Sequence, residues 1–182
     1  MEDIIAEVPE LATERLQLRA IRRSDIDAVY AIYSDPRGMR YWSFPPWTDR
    51  RQAVEWFEWR RTGGLMDHLP WAATLEGHVV GLFTLFLINR EQRRCELGYI
   101  VHPDHWKKGL AREGLRCILR HAFDVLRLER IEADIDPRNL DSCRLVEHLG
   151  FRREGLLRQR WRVGDEVSDS ALYGLLRAEF PG

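Results

Sequence analysis

The stretch from Arg94 to Leu126 limits the folds open to this chain more than any other. Arg94–Val101 (RCELGYIV) reads as a strand and is closed by His102-Pro103. Beyond Gly109, the residues Leu110, Gly114, Leu115, Ile118, Ala122, Val125 and Leu126 recur at helical spacing across Leu110–Leu126. A helix with such a stripe must bury it against another layer. The obvious partner lies just upstream. Leu69–Leu75 and Val79–Ile88 are apolar runs joined by a tight Glu76-Gly77-His78 turn, which reads as a β-hairpin.

The remaining segments follow the same logic. Thr13–Ile21 alternates, with Leu16, Leu18 and Ala20 opposite Arg15, Gln17 and Arg19, as in a half-buried strand. Ser24 is placed to cap a helix that carries Ile26, Val29, Tyr30 and Tyr33 and stops at Pro36. Residues 35–47 form an aromatic, proline-rich loop. Thr48 is placed to cap a second helix, with Ala53, Trp56, Phe57 and Arg60 on one face and Gly63-Gly64 as its stop. Ile131–Ile135 is a short strand ended by Pro137. Asp141 or Ser142 begins a short helix ended by Gly150. Phe151–Arg162 and Val167–Leu176 make a last hairpin about Gly164-Asp165. Residues 1–12 carry no period and read as an N-terminal tail, with one domain over 13–178. The order β-α-α-β-β-β-α-β-α-β-β predicts a mixed α/β (α+β) domain, neither regularly alternating nor doubly wound.

Composition removes several functional classes. A chain of 182 residues is long enough for one well-packed domain. The longest apolar run, Val79–Ile88, is about half of what a membrane-spanning helix needs. A net charge of −1 argues against general nucleic-acid binding. The start, with Glu2 and Asp3, does not read as a signal peptide. Cys95, Cys117 and Cys143 are odd in number and widely spaced, as expected of reduced thiols in a cytoplasm.

The chemistry concentrates between Glu96 and Arg112. A helix start offers unpaired N–H groups and a partial positive charge, so it suits an anion. Gly109 allows close backbone approach and Ala111 keeps the first turn small. Lys107 and Lys108, the only lysines in the chain, add charge. The loop lacks the G-x-x-x-x-G-K-[ST] of a nucleotide-binding P-loop and the G-x-G-x-x-G of a dinucleotide fold.

Five motifs together resemble the GNAT acetyltransferase superfamily, and within it the RimJ/RimL type. They are T-E-R-L-x-L-R at Thr13–Arg19, E-L-G-Y at Glu96–Tyr99, W-x-K-G-x-A at Trp106–Ala111, N-x-x-S at Asn139–Ser142, and L-G-F-x-x-E-G from Leu149 to Gly155. The resemblance spans about residues 13–176. It implies a single domain with a central, mostly antiparallel, partly splayed sheet and about four helices. It also implies acetyl-CoA as co-substrate, no metal, and transfer to an amine: a protein N-terminus or a small molecule. Tyr99, Ile100 and Val101 would meet the pantetheine arm. Trp106, Lys107, Lys108, Gly109, Leu110, Ala111 and Arg112 would hold the pyrophosphate, with Asn139 and Ser142 beside the arm. Similar proteins are frequently dimers, so a homodimer stays open.

Transfer by direct attack requires three groups: a backbone N–H near Tyr99–Val101 for the oxyanion, a carboxylate to take the amine proton, and a hydroxyl to protonate the leaving thiolate. Glu96 is the candidate base, against the alternative of an ion pair with a nearby arginine. Ser142 is the candidate acid, against the alternative of a helix cap. Tyr99 reads first as a core aromatic. Some relatives carry a carboxylate on the last hairpin, roughly where Trp161 stands. His102 and His105 read as loop residues and Cys143 as a small buried one. The aromatics Tyr41, Trp42, Phe44, Trp47, Trp56 and Trp59 read mostly as core, with one or two lining an acceptor groove. A non-catalytic acyl-CoA-binding or interaction domain is the competing function.

Overall fold

The computed structural model describes residues 3–63 and 67–182. Among these residues, eight strands form one sheet in the order β1-β2-β3-β4-β5-β6-β8-β7. They are β1 (Leu11–Ala12), β2 (Leu16–Ala20), β3 (Leu69–Leu75), β4 (His78–Asn89), β5 (Arg94–Val101), β6 (Arg130–Ile135), β7 (Arg152–Val163) and β8 (Glu166–Leu176). Four α-helices accompany them: α1 (Ile26–Ser34), α2 (Arg50–Arg61), α3 (Leu110–Asp124) and α4 (Leu140–His148). Every neighbouring pair is antiparallel except β5 and β6, which run parallel. This is the expected mixed, mostly antiparallel sheet with four helices.

The sheet is covered on both faces. Phe83, Leu85 and Leu97 pack with Leu115, Ile118 and Phe123 of α3 and Val146 of α4. Ala72, Leu82 and Ile100 point the other way, against Val29, Ile32, Ala53 and Phe57 of α1 and α2. Burial on both faces explains why β3 and β4 read as nearly continuous apolar runs. Gly114 lets α3 lie directly on the sheet, because a Cβ there would come within 3.0 Å of the Phe83 ring.

The parallel pair gives the sheet its functional shape. β5 and β6 pair only through Arg94↔Arg130, Cys95↔Ile131 and Glu96↔Glu132. From Leu97 to Val101, β5 has no strand partner on that side, so the sheet splays and a cleft opens.

Several local expectations shift. The segment read as a tail lies on the sheet: β1 pairs with β2, and the Ile5 N–H donates to the Ile21 carbonyl at 3.0 Å. Ser24 sits inside a 3-10 turn, Arg23–Asp25, rather than at a cap. There Asp25 accepts from the Arg22 N–H and from the Arg19 guanidinium. The cap of α2 is Asp49, not Thr48, because the Asp49 carboxylate accepts the Arg51 N–H at 2.8 Å. The expected Gly64 stop lies outside the described residues. Asn139 caps α4, its Oδ1 accepting the Ser142 N–H at 3.2 Å.

Candidate active site

The last of these shifts bears on chemistry. Because Asn139 supplies the cap, the Ser142 hydroxyl is left for another partner. It lies 2.6 Å from the Tyr99 hydroxyl. The Tyr99 ring stacks on Phe83 with centroids 6.3 Å apart, so this residue has a core face and a polar end. Burial pushes its phenol up to about 12, with the Ser142 contact acting in the opposite direction. Tyr99 is therefore a proton-bearing hydroxyl at neutral pH, able to donate to Ser142 or receive from it.

Glu96 sits where β5 and β6 part, and it is half-buried. It forms no ion pair among the described residues, so the arginine-pair alternative is not realised. Burial raises its pKa, followed by repulsion from Glu132 and Asp134. A carboxyl in that state is a better proton acceptor than an ordinary one once it is ionised.

Sequence reasoning did not single out Asp134. It extends from β6 into the same cleft and accepts a hydrogen bond from the Ser170 hydroxyl. The Trp161 indole N–H points to it at 3.4 Å. Thus the last hairpin carries no carboxylate at Trp161, but Asp134 reaches that hairpin from the neighbouring strand. A signal existed: Glu132-Ala133-Asp134 puts two acids on one face of a strand whose other face is core.

These groups line one cleft of about 520 Å³. Glu96, Tyr99, Ile100, Asn139 and Ser142 lie along it, with Asp134 and Trp161 opposite and Tyr41, Trp42 and Phe44 at the aromatic end. Of the aromatic residues, Trp42, Phe44, Trp47 and Trp56 pack around Tyr33 at centroid distances of 4.7–5.8 Å. Trp59 is exposed. Of Glu154, Arg158 and Arg160 on the last hairpin, Arg160 lines the cleft, whereas Glu154 pairs with Arg130.

The loop between β5 and α3 forms a separate, exposed surface. Lys107 and Gly109 both adopt the left-handed backbone conformation, at φ 59° and 77°. That geometry turns the chain so that α3 begins with its first N–H groups free of any side-chain cap. Lys107, Lys108 and Arg112 are exposed and form no ion pair among the described residues. Three unpaired cations around open helix N–H groups fit a polyphosphate. The Trp106 indole folds back to donate to the Val101 carbonyl at 2.7 Å, fastening the loop to the end of β5. Val101 thus spends its carbonyl within the protein. His102 accepts the Asp104 N–H in the same loop, and Cys143 is buried.

A latch holds this loop from behind. Glu113, in the first turn of α3, accepts from the Thr13 hydroxyl, from the Arg15 N–H at 2.8 Å and from the Arg15 Nε at 2.7 Å. The Arg15 guanidinium also donates to the Lys108 carbonyl at 2.8 Å. Thr13 and Arg15 open the first sequence motif, so its polar residues serve the loop almost a hundred residues away.

Residues 15–152 match the Acetyltransferase (GNAT) domain family. The chain is 32% identical to the N-acetyltransferase p20 of Bacillus licheniformis, over 94% of this chain and 98% of that one. It is 25% identical to a spermidine N(1)-acetyltransferase of Vibrio cholerae, over 91% and 95% of the two chains. RimJ of Mycobacterium smegmatis, solved in complex with CoA-disulfide, superposes with a TM-score of 0.81 at 28% identity, over 96% of this chain and 89% of that one. A sheet splayed beside a cation-rich helix start, matched along nearly the whole chain, places this protein in the GNAT acetyltransferase family.

Proposed function

We propose that this protein transfers the acetyl group of acetyl-CoA to a primary amine by direct attack in a ternary complex, as a RimJ/RimL-type enzyme with its transferase domain over 13–178. The observation that carries this reading is the convergence of a carboxyl and a hydroxyl pair on the splayed edge of β5. Glu96, Tyr99 and Ser142 line a single cleft there.

Each residue has a defined task. Lys107, Lys108, Arg112 and the backbone of Gly109, Leu110 and Ala111 hold the pyrophosphate. The unpaired edge of β5, from Tyr99 to Val101, receives the pantetheine arm, with Asn139 beside it and Trp106 bracing the loop. Glu96 takes the proton that the amine loses as its nitrogen bonds to the acetyl carbon. A backbone N–H of the β5 edge steadies the oxyanion. The carbon–sulfur bond then breaks, and Ser142, resupplied by Tyr99, gives a proton to the departing thiolate. Three free thiols in the chain fit a reducing cytoplasm.

The test is CoA release from acetyl-CoA with a panel of primary amines. Glu96→Gln should lower kcat about 10²- to 10⁴-fold, as expected for removal of a general base. Ser142→Ala should lower it less, because Tyr99 remains. Full turnover in the double variant would remove both residues from the chemistry. An absence of transfer to every amine would favour the non-catalytic acyl-CoA-binding alternative.

A further inference from the structure

The aromatic end of the cleft holds one cation that nothing in the protein neutralises. Arg60 lies in the last turn of α2 and lines the cleft. Its Nε and one terminal nitrogen are shut off from solvent and have no hydrogen-bond acceptor. No carboxylate forms an ion pair with it among the described residues, although most arginines of this chain have one. The guanidinium lies over the Trp56 ring at 4.7 Å, which fixes its plane but supplies no acceptor. Burial lowers its pKa, with Tyr33 acting in the opposite direction.

A half-buried guanidinium with two covered nitrogens and no acceptor is costly unless something arrives to pair with it. A planar guanidinium suits a carboxylate, and the terminal nitrogen that is not shut off from solvent is the one a ligand in the cleft can reach. The other end of the cleft carries the opposite sign, since Glu96 and Asp134 lie beside the splayed strands. Between the two ends the wall is apolar, formed by Trp42, Phe44 and Phe86. The cleft therefore has an acidic end, where Arg160 lies 3.9 Å from Asp134, an apolar middle and, among the aromatics, Arg60 as the cation without a carboxylate partner.

We propose that Arg60 receives a carboxylate carried by the acceptor itself, so that the preferred acceptors are small amines bearing a carboxylate at the far end of an apolar body. This deepens the acetyl-transfer reading above and rests on it. The ammonium end faces Glu96 and Asp134 while the carboxylate docks on Arg60. A polyamine fits this charge pattern poorly, because its outer ammonium would meet Arg60.

The experiment uses matched acceptors that differ only in a remote carboxylate: 4-(aminomethyl)benzoate against benzylamine, and 6-aminohexanoate against hexylamine, with spermidine alongside. Acetyl transfer gives kcat/KM for each. In the native protein the carboxylate-bearing member of at least one pair should be favoured about 10- to 100-fold, the scale of a charged hydrogen bond in a buried site. Arg60→Gln should bring that ratio to within about threefold of one, and Arg60→Lys should restore part of it. A merely structural role would lower both members together and leave the ratio alone. An unchanged ratio in Arg60→Gln, or spermidine as the best acceptor, overturns the proposal. Equilibrium binding of the same four compounds to the native protein and Arg60→Gln separates the two readings. Binding that depends on both the carboxylate and Arg60, without acetyl transfer, overturns the transfer reading and leaves Arg60 assigned. Binding that depends on neither overturns the assignment of Arg60.

Discussion

The proposed donor and acceptor ends of the site are built in opposite ways. The donor end, from Glu96 to Arg112, is one continuous run of chain: a strand, a loop and the first turn of a helix. Its cations are exposed and unpaired, and its backbone is held from behind by the Thr13, Arg15 and Glu113 latch. The acceptor end is assembled from α1, the 35–47 loop, α2, β4 and the last hairpin, so its residues come from across the sequence. Its unpaired cation, Arg60, is half-buried, with two nitrogens covered. A polyphosphate remains largely hydrated and suits an open set of exposed charges. An amine acceptor must instead be stripped of water and aimed. The contrast places the cations of the first end on one short stretch of chain, whereas the second end depends on loops from several parts of the sequence.

The largest effect should come from breaking the donor end. Gly109→Glu puts a negative side chain and a β-carbon at a φ of 77°, in the anion site itself. At a hundredfold excess over its Kd, acetyl-CoA should stabilise the native protein by about 2.7 kcal/mol. For a chain of this size that is a Tm rise of roughly 5–11 °C. The variant should show no rise, and its circular dichroism should stay native because the loop is exposed. Gly109→Ala shares the backbone strain without the charge and should keep part of the rise. An equal rise in native protein and Gly109→Glu would detach this loop from the donor.

The next effect lies at the junction of the two ends. Glu96 is raised by burial, then by Glu132, then by Asp134. A raised carboxyl favours its protonated form in the folded state, so its stabilising contribution is present below the unfolded pKa and is lost as pH rises through the folded one. Glu96→Gln should therefore be more stable than the native protein at pH 7–8, with the advantage disappearing toward pH 4. For activity, the acid limb of kcat/KM should lie above the ordinary carboxylate range. Asp134→Asn removes one of the repelling charges and should move that limb downward. Thermal melts and rate profiles across pH 4–9 check both. A native protein more stable than Glu96→Gln at pH 7–8 would mean that the carboxylate is paired.

The same contrast decides what the sequence makes legible. β5 runs from Arg94 to Val101 and α3 starts at Leu110, both as the local pattern predicts, because strand period, proline stop and glycine turn are short-range signals. Caps are less secure. Thr48 and Asp49 are both competent, and the choice falls to Asp49, whose oxygen reaches the Arg51 N–H. Ser142 reads as a cap until Asn139 is seen to supply it. The segment before Thr13 has no period because its burial is piecemeal: Ile5 packs beneath α1 and α2, and Pro9 accepts the Trp71 indole N–H. Arg60 is a different case. Its helical spacing puts it on the face of Ala53, Trp56 and Phe57, but only the folded chain shows that no acid comes near. Loop closure, not local propensity, makes that pocket.

The smallest effect tests whether the latch belongs to the donor end at all. Glu113 is only partly buried and its Arg15 partner is substantially exposed, so solvent screens their attraction. What Glu113→Ala removes is chiefly the acceptor for the Thr13 hydroxyl and the Arg15 N–H. The expected cost is about 1–2 kcal/mol, or a Tm fall of roughly 2–8 °C. Because Arg15 also donates to the Lys108 carbonyl, losing its anchor should loosen the loop and raise the KM for acetyl-CoA several-fold. The KM for the amine should move much less, since the acceptor end touches none of these residues. Equal changes in both KM values would show that the two ends are mechanically one, and the division between a fixed donor end and a variable acceptor end would fail.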